Sequence, residues 1–390
     1  MKVTSTTPSI HLWLPNIFEF KGGIQVYSAF FLQAIQAAFP QWRYDVFIKH
    51  DRQADPHFPR SPFTQFHCSG QWDLALRTPA FALNILSQGW LTQPDLIIAT
   101  HLNFTLAAYW LKRLRGIPYW TVAHGVEAWN IQRPNLQQAL HSADRILAVS
   151  GYTRDRLLKE QNLDPAKVTI LPNTFDEKRF KIAPKPHHLL HRYNLKADQL
   201  IILTVARLDS TEQYKGYDRI IQALLKIRHY LDNVHYILVG EGNDRPRIER
   251  LIEQLDVKPY VTLAGFVNDA ELVDYYNLCD VFAMPSLGEG FGIVYLEALA
   301  CGKPVLGGDR DGAVDALCHG ELGVLVNPNN GEDIADCLIQ VLKKVHPNQL
   351  VYNPQALREK VISIYGFASY QETLTQIFNN AHLSQRCLES

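Results

Sequence analysis

A chain of 390 residues with 47% hydrophobic and 20% charged side chains has material for more than one large core. Its 38 Lys and Arg against 39 Asp and Glu leave a net charge of −1, without the basic excess of a non-specific nucleic-acid binder, so no nucleic-acid partner is expected. The cysteines Cys68, Cys279, Cys301, Cys318, Cys337 and Cys387 form neither a Cys-x-x-Cys pair nor a zinc spacing and read as reduced thiols. The start at Met1–Ser5 lacks the apolar core of a signal peptide, and no apolar run approaches the ~20 residues of a bilayer span. A cytoplasmic protein is expected, membrane-attached at most at the inner face.

Along the chain, short apolar runs alternate with helical periodicity. Residues 10–14, 44–48, 95–100, 119–123, 145–149 and 168–171 are predicted as strands, with helices over 24–38, 81–90, 104–114 and 153–161 between them. Short Val/Ile/Leu-rich strands separated by helices imply a parallel sheet covered on both faces. Residues 175–198, with Pro184, Pro186 and a cluster of His and Lys, break the rhythm and read as a linker. The alternation then restarts. Strands are predicted over 201–206, 234–239, 261–264, 281–284 and 305–306, and helices over 217–231, 245–255, 270–279, 293–301 and 332–345. The fold class is α/β, with two Rossmann-like doubly wound domains at 1–174 and 199–364 and a helical segment at 365–390. Ligands are expected outside the carboxyl ends of the strands.

The strongest chemical signal is Ser286-Leu287-Gly288-Glu289-Gly290-Phe291-Gly292-Ile293-Val294-Tyr295-Leu296-Glu297. A strand ends, a glycine-rich loop follows and a helix begins near Gly292. Such a helix start offers N–H groups to an anion. Carboxylates at Glu289 and Glu297 would repel a phosphate and fit better as acceptors for sugar hydroxyls flanking it. Arg207, after a strand end, and Lys215, before a helix, present two cations at the same crevice edge. Charge of that sign stabilises a departing diphosphate more than the bound ground state.

With these residues the sequence resembles glycosyltransferase family 4, of the two-domain GT-B type, whose signature of two Glu separated by seven residues is matched by Glu289 and Glu297. The resemblance implies two domains facing a central cleft and a retaining transfer from a nucleoside diphosphate sugar, UDP- or GDP-linked, to a glycan, lipid or small-molecule hydroxyl. It assigns Glu289 to the transferred sugar, Glu297 to the ribose, and Arg207 and Lys215 to the diphosphate, with Gly290, Phe291 and Gly292 lining the donor. His124, at a strand end, corresponds to a histidine near the sugar. Gly22 and Gly23 correspond to the N-terminal loop, and Phe266 and Val267 to the base contact. It also implies that the last helix crosses back to the first domain.

Two departures stand out. The loop between Arg207 and Lys215 is about two residues longer than the commonest family form, and a Gly-Gly-x-Pro-Glu stretch is replaced by Asp311-Gly312-Ala313-Val314-Asp315. Asp309-Arg310-Asp311 has the form of a metal-binding tripeptide, but two cations already answer a diphosphate, so neither metal nor cofactor is expected. The pair Glu289 and Glu297 suits a phosphate leaving group better than glycosidase acid–base work. A sugar-nucleotide epimerase of the same fold and a non-catalytic binding subunit are the alternatives. The aromatic and basic run Tyr109–Arg115 admits peripheral contact with an anionic membrane, although a sheet-covering helix with a basic C-terminus accounts for it too.

Overall fold

The computed structural model describes residues 7–19 and 22–381. The start at Met1–Ser5 and Cys387 lie outside them. The chain forms two compact units, one from residues 1–174 with 367–390 and one from residues 175–366.

In the first unit, β1 (Ser9–Leu14), β2 (Arg43–Ile48), β3 (Thr64–Cys68), β4 (Leu96–Ala99), β5 (Tyr119–Ala123), β6 (Arg145–Ala148) and β7 (Val168–Ile170) form one sheet in the order β3-β2-β1-β4-β5-β6-β7, every pair parallel. The helices are α1 (Gly23–Ala38), α2 (Leu74–Thr92), α3 (Thr105–Arg115), α4 (Pro134–Ser142) and α5 (Gly151–Gln161). Central strands are buried on both faces, as Leu12, Trp13, Ile97, Ile98 and Val122 show. The strand order reverses direction between β1 and β4, which sets the crevice at their carboxyl ends.

In the second unit, β8 (Leu200–Val205), β9 (Val234–Val239), β10 (Val261–Gly265), β11 (Val281–Met284), β12 (Val305–Gly308) and β13 (Val324–Val326) pair, again all parallel, in the order β10-β9-β8-β11-β12-β13. Its helices are α6 (His187–Arg192), α7 (Tyr217–Tyr230), α8 (Arg245–Gln254), α9 (Asp269–Leu278), α10 (Ile293–Ala300), α11 (Ala313–Ala316), α12 (Gly331–Leu342) and α13 (Pro354–Tyr365). The switch point lies between β8 and β11, where Arg207 and the glycine-rich loop emerge.

The two Rossmann-like sheets agree with the predicted class. The difference lies at the connections. Residues 175–198 belong to the second unit rather than forming a free linker: α6 packs against α9, and Lys185 pairs with Asp280 at 2.7 Å. In the terminal segment Tyr365 ends α13, Gly366 is extended, and one helix follows, α14 (Phe367–Asn380), which belongs to the first unit and packs on α1.

Candidate active site

In the second unit the loop after β11 is built on a buried acid. Asp311 lies three residues past the end of β12 and is fully buried. Its carboxylate accepts from the Glu289 N–H at 2.8 Å, the Ser286 hydroxyl at 2.6 Å and the Ala313 N–H at 2.9 Å, while Gly312 N–H donates to the Glu289 carbonyl at 2.8 Å. Burial raises the Asp311 carboxyl to about 6, against the opposing pull of those hydrogen bonds. Asp309 and Arg310 are exposed and contact each other at 3.5 Å, so the two acids of the Asp-x-Asp form have separate surroundings.

The loop carrying the cations docks on this frame. Leu287 N–H donates to the Tyr214 carbonyl at 2.8 Å. Gly216, at φ +75°, brings the turn so close that a β-carbon there would lie 2.3 Å from the Pro285 carbonyl oxygen. Only glycine takes that conformation and that approach together. On the other side, Leu208 N–H donates to the Glu241 carbonyl at 2.9 Å and Gln213 reaches Asp244 at 3.1 Å, which clasps the loop against the segment after β9.

The result is a charged cluster at the β8 and β11 ends. Lys215 Nζ lies 2.6 Å from Glu289 Oε1 and 3.6 Å from Glu212 Oε2. Glu212 also pairs with the Arg207 guanidinium, so one carboxylate gathers both cations. Burial works against the Lys215 charge, yet Glu289, Tyr214 and Glu212 outweigh it and hold the ammonium above the usual lysine range. Arg207 keeps 58% of its side chain exposed, whereas Lys215 keeps 16%; the first can swing and the second is fixed.

Helix α10 begins at Ile293, with Gly292 as its N-cap in left-handed conformation. Glu297, half-buried on this helix, accepts from the Tyr276 hydroxyl at 2.6 Å. Burial pushes its carboxyl up to about 7, with the Tyr276 hydrogen bond opposing. Phe291 is buried with its ring edge-on to Tyr365. Gly290 sits in the same loop. At the far edge of the sheet, Phe266 follows β10 with 75% of its surface exposed, and Val267 is half-buried beside it.

The first unit repeats the device. Asp51, three residues past β2 and buried, accepts from the Ile17, Phe18 and Glu19 N–H groups at 2.7, 2.9 and 3.2 Å, holding the segment between β1 and α1. Gly22 caps α1 in extended conformation, and a β-carbon at Gly23 would meet open space. His124 sits at the end of β5. Its Nε2 lies 2.7 Å from the Thr100 carbonyl, which can only accept, so Nε2 carries the proton and Nδ1 is the acceptor nitrogen of the neutral ring. Burial lowers His124 to about 4, the Thr100 bond opposing. His101 is likewise lowered to about 4, by burial first and then by His124. Glu127 accepts from the His124 N–H at 2.6 Å.

The structure thus brings Arg207, Lys215 and Glu289 together, sets Glu297 on the helix that follows, and holds His124 and Gly22-Gly23 at the crevice of the other unit. Sequence reasoning missed Glu212, Asp51, Tyr276, His101 and Glu127. For His101 a signal existed: it follows a buried strand at the switch point, as His124 follows its own.

Comparison with known proteins settles the family. Residues 21–179 match the model of Glycosyltransferase Family 4, and residues 189–357 match that of Glycosyl transferases group 1. The chain belongs to glycosyltransferase family 4. The transferase is 28% identical over 344 residues to the GDP-mannose-dependent alpha-(1-6)-phosphatidylinositol monomannoside mannosyltransferase of Mycobacterium tuberculosis, covering 83% of this chain and 86% of the relative. It is also 28% identical to the D-inositol 3-phosphate glycosyltransferase of Mycobacteroides abscessus, over 70% of this chain and 64% of that one. Among solved structures, sucrose-phosphate synthase from Thermosynechococcus elongatus superposes with a TM-score of 0.77 at 20% identity, covering 97% of this chain and 100% of the other. Anabaena HepE, solved with UDP-glucose, gives 0.75 at 18% identity, covering 95% and 99%. These likenesses share the GT-B fold.

Proposed function

We propose that the transferase moves a hexose with retention of configuration from a GDP- or UDP-linked donor to an acceptor hydroxyl, without a metal or other cofactor. The observation that carries this reading is the cluster of Arg207, Lys215 and Glu212 beside the N-terminus of α10, where Lys215 also meets Glu289. The diphosphate takes over Arg207 and Lys215 from their carboxylate partners and faces the N–H groups that follow Gly292. Gly290 and the Phe291 backbone line it. Glu289 turns to the hydroxyls of the transferred sugar. Glu297 accepts from the ribose, and the chain after Phe266 and at Val267 meets the base. His124, with its acceptor nitrogen at Nδ1, serves the sugar hydroxyls, and the first unit with Gly22-Gly23 serves the acceptor.

In the reaction the glycosidic C–O bond to the diphosphate breaks, and the acceptor oxygen bonds to the anomeric carbon on the face the leaving group vacates. The acceptor proton passes to a phosphate oxygen. The products are the glycoside and a nucleoside diphosphate. Negative charge grows on the leaving oxygens as the bond breaks, so fixed cations there lower the barrier rather than merely tightening binding.

The test is a panel of GDP- and UDP-hexoses with inositol phosphate and phosphatidylinositol mannoside acceptors, the acceptor chemistry named for the relatives. Acceptor-dependent release of nucleoside diphosphate is expected. Arg207→Ala and Lys215→Ala should each lower kcat by ~10²–10³-fold with the fold intact, the usual loss for one preorganised charge contact. Wild-type rates in both variants remove the diphosphate assignment.

A further inference from the structure

Helix α2 departs from what a sheet-covering helix requires. Such a helix buries one apolar stripe and turns charged residues outward. Over its 19 residues α2 has a single charged side chain, Arg77, which is turned back to the Gly70 and Trp72 carbonyls. Its inner face is accounted for by Phe81, Ile85 and Gly89, all buried. The outer face is also apolar. Leu76, Leu83 and Trp90 are spaced seven apart and run along one stripe, since a heptad drifts only ~20°. They are 54%, 70% and 45% exposed, and Leu91 beside them is 72% exposed.

Helix α3 extends this surface. The two helices cross closely at Gly89, where a β-carbon would lie 2.4 Å from Leu111 Cδ1. Trp110 and Leu114, four residues apart, are 50% and 62% exposed. The Arg115 guanidinium stands 4.4 Å from the centre of the Trp90 ring, so α3 supplies charge to the edge of the α2 stripe. Arg113 is exposed on the same turn, and among the described residues neither Arg113 nor Arg115 makes an ion pair. Neither helix contains an Asp or Glu.

A large exposed apolar surface rimmed by polar groups marks an interaction site; here the charges that α3 brings to the rim are arginines, and the exposed acids Asp73 and Asp95 stand beyond the two ends of α2. We propose that the outer face of α2 and α3 docks on an anionic lipid bilayer, with Leu76, Leu83, Leu91 and Leu114 entering the headgroup boundary, Trp90 and Trp110 at its level, and Arg113 and Arg115 against lipid phosphates. Tryptophan favours that level because its ring is apolar and its N–H is wet. The helices lie on the membrane rather than across it: no helix among the described residues is long and apolar enough to span. The charge argument selects this occupant over a second copy of the chain, whose identical face would bring arginine against arginine. The inference is independent of the donor reading, since it concerns neither Arg207 nor Lys215.

The experiment is co-sedimentation of the full chain with vesicles of phosphatidylcholine alone and of an equal mixture with phosphatidylglycerol, at low and high salt. Binding to the mixed vesicles, weakened by salt and accompanied by a blue shift of tryptophan emission, is expected. Arg113→Glu with Arg115→Glu should weaken it by at least ~30-fold, at roughly fivefold per basic residue. Leu83→Ser with Leu91→Ser should lower it comparably while circular dichroism and Tm stay near wild type, because both side chains are already in water. Failure to bind the mixed vesicles at low salt overturns the proposal. So does binding that both double variants leave intact, or a concentration-dependent dimer abolished by the leucine pair. Nucleoside diphosphate release on a soluble acceptor reads the other site in the same preparations, so loss of one does not mimic loss of the other.

Discussion

Glu297 shows how one side chain can report on donor binding. Burial raises its carboxyl to about 7, so near neutral pH the empty enzyme holds a mixture of acid and carboxylate. A carboxylate accepts two hydroxyls, whereas the protonated form gives up part of that capacity. In the proposed ribose contact the bound donor therefore favours the ionised form, and donor Kd should fall as pH rises from about 6 to about 8. Glu297→Gln should flatten that slope and bind donor more weakly throughout. Isothermal titration at several pH values checks it; a pH-independent Kd in the wild type would contradict the ribose contact. Folding stability moves the other way. A carboxyl raised in the folded state binds more protons there than in the unfolded chain, so this group's contribution declines as pH rises through about 4.5 to 7. At this scale the sequence exposes residues whose chemistry is local: Glu289 and Glu297 stand in one glycine-rich loop and helix. It conceals the role of Asp311, because its partners Ser286 and Glu289 stand on a loop that only the strand order stacks against it.

Among elements, the loops matter more than the helices they introduce. In each unit the segment leaving a switch-point strand is caught by an aspartate three residues past the neighbouring strand, Asp51 beyond β2 and Asp311 beyond β12. Backbone N–H groups that would otherwise lack partners are satisfied by a fixed acceptor. The loop is thereby ordered before any ligand arrives. The 207–215 loop leans on that frame through Gly216. Gly216→Ala imposes a left-handed alanine, costing ~1–2 kcal/mol, and a contact with Pro285 that the backbone must relieve. We expect a lower Tm together with a fall in turnover, as Lys215 leaves Glu289. Gly23→Ala should keep Tm at or above wild type, because its β-carbon meets nothing and alanine favours the helix. Equal melting of the two variants would show that the Gly216 turn does not set the loop. Element legibility follows burial. Strands such as Tyr119–Ala123 and Val234–Val239, buried along their whole length and apolar but for Thr121 and His235, are plain in the sequence. The edge strand Thr64–Cys68 is mostly polar and the edge strand Val324–Val326 has three residues, so neither makes a recognisable run. Helix α4 is hidden by Pro134, which as its first residue looks like a breaker and is a starter.

For the molecule as a whole, chain connectivity distributes stability unevenly. The second unit is inserted between residue 174 and residue 367, so the first unit is completed only by the last helix. Phe378 on α14 is fully buried, with ring centres 4.6 Å from Trp120, 5.4 Å from Phe39 and 5.8 Å from Trp42. Tyr370, Leu374 and Ile377 bury the same face. Removing a buried phenylalanine ring typically costs ~3–5 kcal/mol through lost transfer energy and the cavity left behind. Phe378→Ala should therefore lower Tm, and hydrogen exchange should place the loss in the first unit: amides of α1 and β1 open faster, while those of β8 and β11 keep their protection. That local outcome would leave nucleoside diphosphate binding at Arg207 and Lys215 close to wild type even as the protein becomes easier to unfold. Uniform acceleration across both sheets would mean instead that the units unfold as one cooperative body, with the α14 crossing transmitting the defect to the second.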